Sequence, residues 1–155
     1  MTAPQLKQLI RYLFAAVMMV SGMGALAEQE DVFVNPGTHE FTVQQGVSEI
    51  TVEAWGGGGK GGDATNNKAA GGGGAGGYAR AVIDVQSGQT FQLTVGAGSD
   101  SQASGGESEF DGGVVSAEGG VSVAEDIDSG APGGSGTGDF VSEGGRGDDA
   151  SSSGN

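Results

Sequence analysis

Few residues in this chain could do chemistry, and most of them lack the partners that chemistry needs. His39 is the only histidine and stands beside Glu40 in a short β-prone run. A base-activated nucleophile would have to be built around it alone, because the chain has no cysteine and no serine in a nucleophile-elbow context. Lys60 follows four glycines, as the lysine of a phosphate loop follows its glycine. That loop needs Gly, four spacers and then Gly-Lys-Ser/Thr. Here Ala54 stands at the first position and Gly61 follows the lysine, so the pattern fails at both ends. A dinucleotide fingerprint can be traced through Gly72 to Gly77, but any glycine run contains one, and the residues after it read as a strand where a helix is required. Carboxylate pairs are uninformative among 20 acidic residues and read as a solvated surface. No enzyme is expected, and no catalytic, cofactor-binding or metal-ligating residue is singled out.

Two weaker patterns lie near the end of the chain. "GGRGDDASS", Gly144 to Ser152, matches one turn of the calcium-binding nonapeptide repeat, with Asp149 in the ligand position but Ser151 where an apolar residue should point inward. Such ions are shared between consecutive copies, and only one copy is present. The same stretch contains Arg146-Gly147-Asp148, a tripeptide that integrins recognise. In a chain rich in Gly and Asp, coincidence accounts for it.

Whatever holds these residues in place is expected to begin after an export leader. Lys7 and Arg11 precede the apolar run "YLFAAVMMVSGMGALA", which ends in the small-x-small site Ala25-Leu26-Ala27 and is followed by "EQED". The rival reading, a membrane anchor, needs about 20 apolar residues, more than the run supplies before its glycines. Residues 1–27 are therefore expected to be a cleavable signal helix, leaving 128 of 155 residues as one domain. All 20 acidic residues but only four basic ones lie in that remainder, a net charge of −16. Nucleic acid is excluded as a partner by sign, while weak gathering of divalent cations is expected. With no cysteine there is no disulfide framework.

Glycine makes up 32 of those 128 residues, the most entropically expensive residue to order. Between the glycines, strands are legible. "DVFVNPGTHEFTV" has a Pro36-Gly37 turn between two short runs, and "SEITVEAW" puts Ile50, Val52 and Ala54 on one face. "YARAVIDV" sets Ala79, Ala81, Ile83 and Val85 against Tyr78, Arg80, Val82 and Asp84, and "TFQLTV" groups Phe91, Leu93 and Val95. Further on, Gly-Gly pairs begin at Gly105, Gly112, Gly119 and Gly133, at multiples of seven, which predicts short antiparallel strands joined by tight turns. From Ser129 the apolar content falls, and residues 146–155 are expected to form a tail without order.

In order, "FTVQQGVSEITVEAWGGGGKGG", "GGGGAGGYARAVIDVQSGQTFQLTVGAG" and "GGESEFDGGVVSAEGG" resemble the glycine-rich domain of exported bacterial proteins and phage tail adhesins. The resemblance covers Phe41 to Gly147. It implies a compact β scaffold beside polyglycine II helices, extended threefold helices whose missing side chains let neighbouring backbones bond directly. It also implies that specificity lies in loops, here Asp63 to Ala70, Ser99 to Ser104 and Glu125 to Pro132. On this basis the chain is expected to be all-β, a compact sandwich-like glycine-rich domain over residues 28–145. The function expected is surface attachment or extracellular assembly, with a glycan, a protein receptor or further copies of the chain as partner. A calcium-responsive matrix or surface-layer component is the alternative. Localisation is expected to be secreted or cell-surface, with the periplasm also open. Gly56–Gly59 and Gly71–Gly74 should pack against each other beside the sheet.

Overall fold

The computed structural model describes residues 8–14, 29–65 and 68–151, and all regular structure in them is β. Ten strands form two antiparallel sheets: β1 (Gln8–Phe14), β2 (Gln29–Phe33), β3 (Gly37–Thr42), β4 (Val47–Trp55), β5 (Tyr78–Asp84), β6 (Thr90–Val95), β7 (Ser108–Phe110), β8 (Val115–Ala117), β9 (Gly136–Thr137) and β10 (Phe140–Ser142). The first sheet has the order β10-β5-β4-β1-β2 and the second β3-β6-β7-β8-β9.

The alternation read from the sequence decides which face is buried. Ile50, Val52 and Ala54 of β4 and Ala79 of β5 are fully buried. They meet Phe91, Leu93 and Val95 of β6, Phe110 of β7 and Val115 and Ala117 of β8 across a shared core, with Phe91 and Phe110 ring centroids 4.9 Å apart. A sandwich results because each sheet has one apolar face and the two faces must cover each other. Small residues dominate the first sheet's inner face, so the larger side chains come from the second. Burying Phe110, Leu93 or Ile50 contributes roughly 1.5–3 kcal/mol each.

The Pro36-Gly37 turn falls where the sequence placed it, with Gly37 (φ 127°) opening β3, and Gly88 (φ 82°) lies between β5 and β6. Asp111, Gly112 and Gly113 take positive φ in the β7–β8 hairpin, as the seven-residue spacing predicts. That hairpin is the one place the spacing rule holds: the pairs at Gly105, Gly119 and Gly133 lie in segments outside any strand or turn.

Two expectations need amending. Residues 8–14, read as part of a signal helix, form a strand paired on both sides, and no helix occurs among the described residues. As a strand, the segment bonds through its backbone to β4 on one side and β2 on the other. The cleavage site, Ala25-Leu26-Ala27, lies outside the described residues. Residues 146–151, read as the start of a tail without order, are bonded to the rest of the chain; Ser152 onward lies outside the description.

Candidate functional site

Beyond Trp55 the chain leaves the first sheet and enters a lattice of glycine segments. Gly56, Gly59 and Gly62 donate their N–H groups to the carbonyls of Gly77, Gly74 and Gly71 at 2.9, 2.8 and 3.0 Å. The step of three along each segment is that of a threefold extended helix. The two glycine runs are thus antiparallel neighbours, as expected. Every other face of segment 71–77 is bonded as well. Gly77 and Gly74 donate to Glu118 and Val121, and Ala75 and Gly72 donate to Gly145 and Asp148. Ala131 and Gly134 donate in turn to Gly72 and Ala75. Segment 71–77 is the hub of the lattice, with four neighbours and a repeat of three towards each.

Close approach is what requires glycine here. A Cβ on Gly57 would lie 2.0 Å from the Ala97 carbonyl oxygen, and one on Gly73 2.3 Å from that of Gly59. A Cβ on Gly58, between two such positions, would meet nothing within 4 Å. The requirement belongs to the face a residue presents, not to the run as a whole. The backbone groups that a glycine-rich loop would leave unpaired are satisfied between segments.

At the end of the lattice remote from Trp55, two of the three expected recognition loops are brought together by one carboxylate. Asp126 accepts hydrogen bonds from Thr65 N–H at 2.7 Å, from the Thr65 hydroxyl at 2.8 Å and from Lys68 Nζ at 3.2 Å. Its own N–H donates to the Asp63 carbonyl at 3.0 Å. These bonds hold Asp126 at φ 60°, a conformation unusual outside glycine but tolerated by Asp. They also hold its carboxyl below the usual range, the Thr65 N–H and hydroxyl first and Lys68 after them. Ile127 beside it is exposed. Residues 66–67 of the first loop lie outside the described residues. The third loop, Ser99 to Ser104, is not joined to this pair by Asp126. It is folded on itself by Ser99, whose hydroxyl donates to Ser101 and Ala103, and is tied to the lattice through Ser99 N–H and the Gly58 carbonyl.

A second carboxylate answers the question raised by the nonapeptide pattern. Asp149 accepts the Gly130 N–H at 2.7 Å and Arg146 Nη2 at 2.8 Å, and these hold its carboxyl low, the Gly130 bond first. Both bonds fall on Oδ1, one from a lattice N–H and one from a cation. Among the described residues no group of three or more His, Asp or Glu side chains could hold a metal. Arg146 itself is engaged with Asp149, and Gly147 N–H donates to the Ala131 carbonyl, so the Arg-Gly-Asp tripeptide is part of the lattice. His39, the sole histidine, donates from Nε2 to the Asn35 carbonyl at 2.8 Å and packs on Phe33. Lys60 pairs with Asp63 and supports the apex.

The glycine-rich domain family matches over residues 34–155, most of the chain. This chain belongs to the glycine-rich domain family. The matched region takes in both sheets except β1 and β2, together with every lattice segment, including residues 146–151. No curated protein and no solved structure matches the chain.

One feature escaped the sequence reading. Trp55, Tyr78 and Phe140 form a file across the outer face of the first sheet, with ring centroids 5.2 and 6.1 Å apart. The Tyr78 hydroxyl donates to Glu53 at 2.7 Å, and Arg80 lies 3.9 Å from the same carboxylate. Trp55 and Tyr78 were legible as strand ends, but Phe140 lies in a segment with no alternation, so its pairing with β5 carried no signal.

Proposed function

We propose that the chain is an exported, non-enzymatic glycine-rich protein that mediates surface attachment or extracellular assembly, with its recognition surface at the apex of the lattice. The observation that carries this reading is the Asp126 clip. It joins residues 63–65 and 68 to residues 124–128 at the far end of a backbone-bonded scaffold. Recognition loops held on a rigid support lose less entropy on binding than free loops do. The leader-like residues 1–27 and the acidic remainder support secretion or display at the cell surface. The partner class is a cell-surface glycan or protein receptor, or other copies of this chain.

The test is attachment of the purified protein to immobilised bacterial and animal cells and to a glycan array. Retention that is lost when residues 63–68 are exchanged for a Gly-Ser linker, with the far-ultraviolet circular dichroism unchanged, is the expected result. Hydrolase or transferase turnover by the purified protein would overturn the reading. The calcium-responsive alternative finds its key side chain, Asp149, already bonded to Gly130 and Arg146. Millimolar calcium is accordingly expected to leave thermal stability and oligomeric state unchanged.

A further inference from the structure

The strand β1 lies within residues 1–27, the part that the export reading removes, yet it occupies an interior position of the first sheet. On one side it pairs with β4, at Leu9↔Glu53, Ile10↔Val52, Arg11↔Thr51 and Tyr12↔Ile50, and past an irregularity at Phe14↔Val47. On the other side it pairs with β2, from Gln8↔Phe33 to Tyr12↔Gln29. β2 has no other strand neighbour among the described residues. Removing β1 therefore strips a row of backbone partners from β4 and leaves β2 without a ladder.

β4 cannot retreat to hide the exposed groups. Its Ile50, Val52 and Ala54 are fully buried in the shared core, and its other side is fixed to β5 over seven residue pairs from Glu49↔Asp84 to Trp55↔Tyr78. An open strand edge anchored in this way is a template for pairing with another strand. The family match begins at residue 34, so the domain is defined without β1 and without β2.

We infer that the mature protein is a strand acceptor: the place vacated along β4 takes an extended, apolar and basic peptide segment of a partner protein, antiparallel to β4. The mode is β-augmentation, in which main-chain bonds supply affinity and alternate side chains supply specificity. The chemistry of the occupant follows from the strands beside it. β4 carries Glu49 and Glu53 and β2 carries Glu30 and Asp31, whereas the segment now between them, "QLIRYLF", has Arg11 and no acid. A second copy pairing through its own β4 would instead bring together two chains of net charge −16. The inference rests on removal of residues 1–27, as the export reading requires.

The experiment starts from the full 155-residue precursor expressed in an exporting bacterial host, with the product identified by intact mass. A product beginning at Glu28 is titrated with a synthetic peptide of residues 5–14, "QLKQLIRYLF", the probe that mimics the vacated strand. One-to-one binding in the micromolar range is expected, with slowed amide exchange in residues 47–53. The Ile10→Pro peptide, unable to donate to a ladder at that position, should bind about tenfold more weakly. Affinity should also fall severalfold as ionic strength rises from about 0.01 to about 0.15 M. Absence of binding, equal binding of the proline peptide, or a dimer that the peptide fails to dissociate would each overturn the strand acceptor while leaving export intact. An exported product that still begins at Met1 would overturn both.

Discussion

At the scale of single residues, the lattice makes glycine's usual weakness conditional on direction. Gly57 and Gly58 are neighbours with the same intrinsic flexibility, yet an added Cβ lies 2.0 Å from a backbone oxygen at one and meets nothing at the other. Gly57→Ala should therefore destabilise by about 3 kcal/mol, because backbone has to move, and lower Tm by roughly 10 °C. Gly58→Ala should be neutral or stabilising by about 0.5 kcal/mol through the unfolded chain. Thermal unfolding of the two variants side by side checks this; equal losses would mean that the run tolerates no side chain anywhere. Gly73→Val should behave as Gly57→Ala does, or worse, since its Cβ approaches the Gly59 carbonyl oxygen at 2.3 Å. The sequence showed that glycine mattered at both runs, but not which glycines, because a residue without a side chain leaves no apolar pattern from which a face could be read.

At the scale of elements, carboxylates tie one segment to the next. Asp126 joins the apex loops, Asp149 joins residues 146–149 to Gly130, and Glu118 accepts the Ser135 hydroxyl and N–H, first the hydroxyl, which lowers its pKa. All three are held below their ordinary values. A depressed carboxylate contributes stability that is present above the ordinary pKa, about 4, and is lost as pH falls through the lower folded value. Tm should thus stay level from about pH 7 to about pH 5 and drop below about pH 4. Asp126→Asn should make the acid drop shallower, and Asp126→Ala should lower amide protection at residues 63–65 and 124–128 with little change elsewhere. Strands such as β4 and β6 were legible because a two-residue alternation has only one way to face a core. The clips were not, since each joins positions far apart in the chain and an acid-rich sequence offers no means of choosing among its acids.

At the scale of the whole molecule, the two parts of the fold are held by different forces. The sandwich rests on apolar burial around Phe110, Leu93 and Ile50, and Phe110→Ala should cost about 3–5 kcal/mol. The lattice rests on hydrogen bonds between backbones, and its last segment comes from a stretch whose composition reads as unstructured. Ending the chain after Glu143 would remove the partners of Gly72, Ala75, Ala131 and Gly134 and should leave the Gly72 and Ala75 amides exchanging faster than those of Gly74 and Gly77, as measured by hydrogen exchange. That dependence has a consequence in time. The N–H of Gly72 closes on Asp148, and that of Gly57 on Gly106, so some bonds of the lattice join residues made far apart in time. Contacts of such long sequence separation fold slowly, since loop closure precedes any gain. The hub cannot be completed until Asp148 has been synthesised. A chain still emerging from the ribosome therefore carries Gly72 and Ala75 with their N–H groups open to water, bonded last although they were made early.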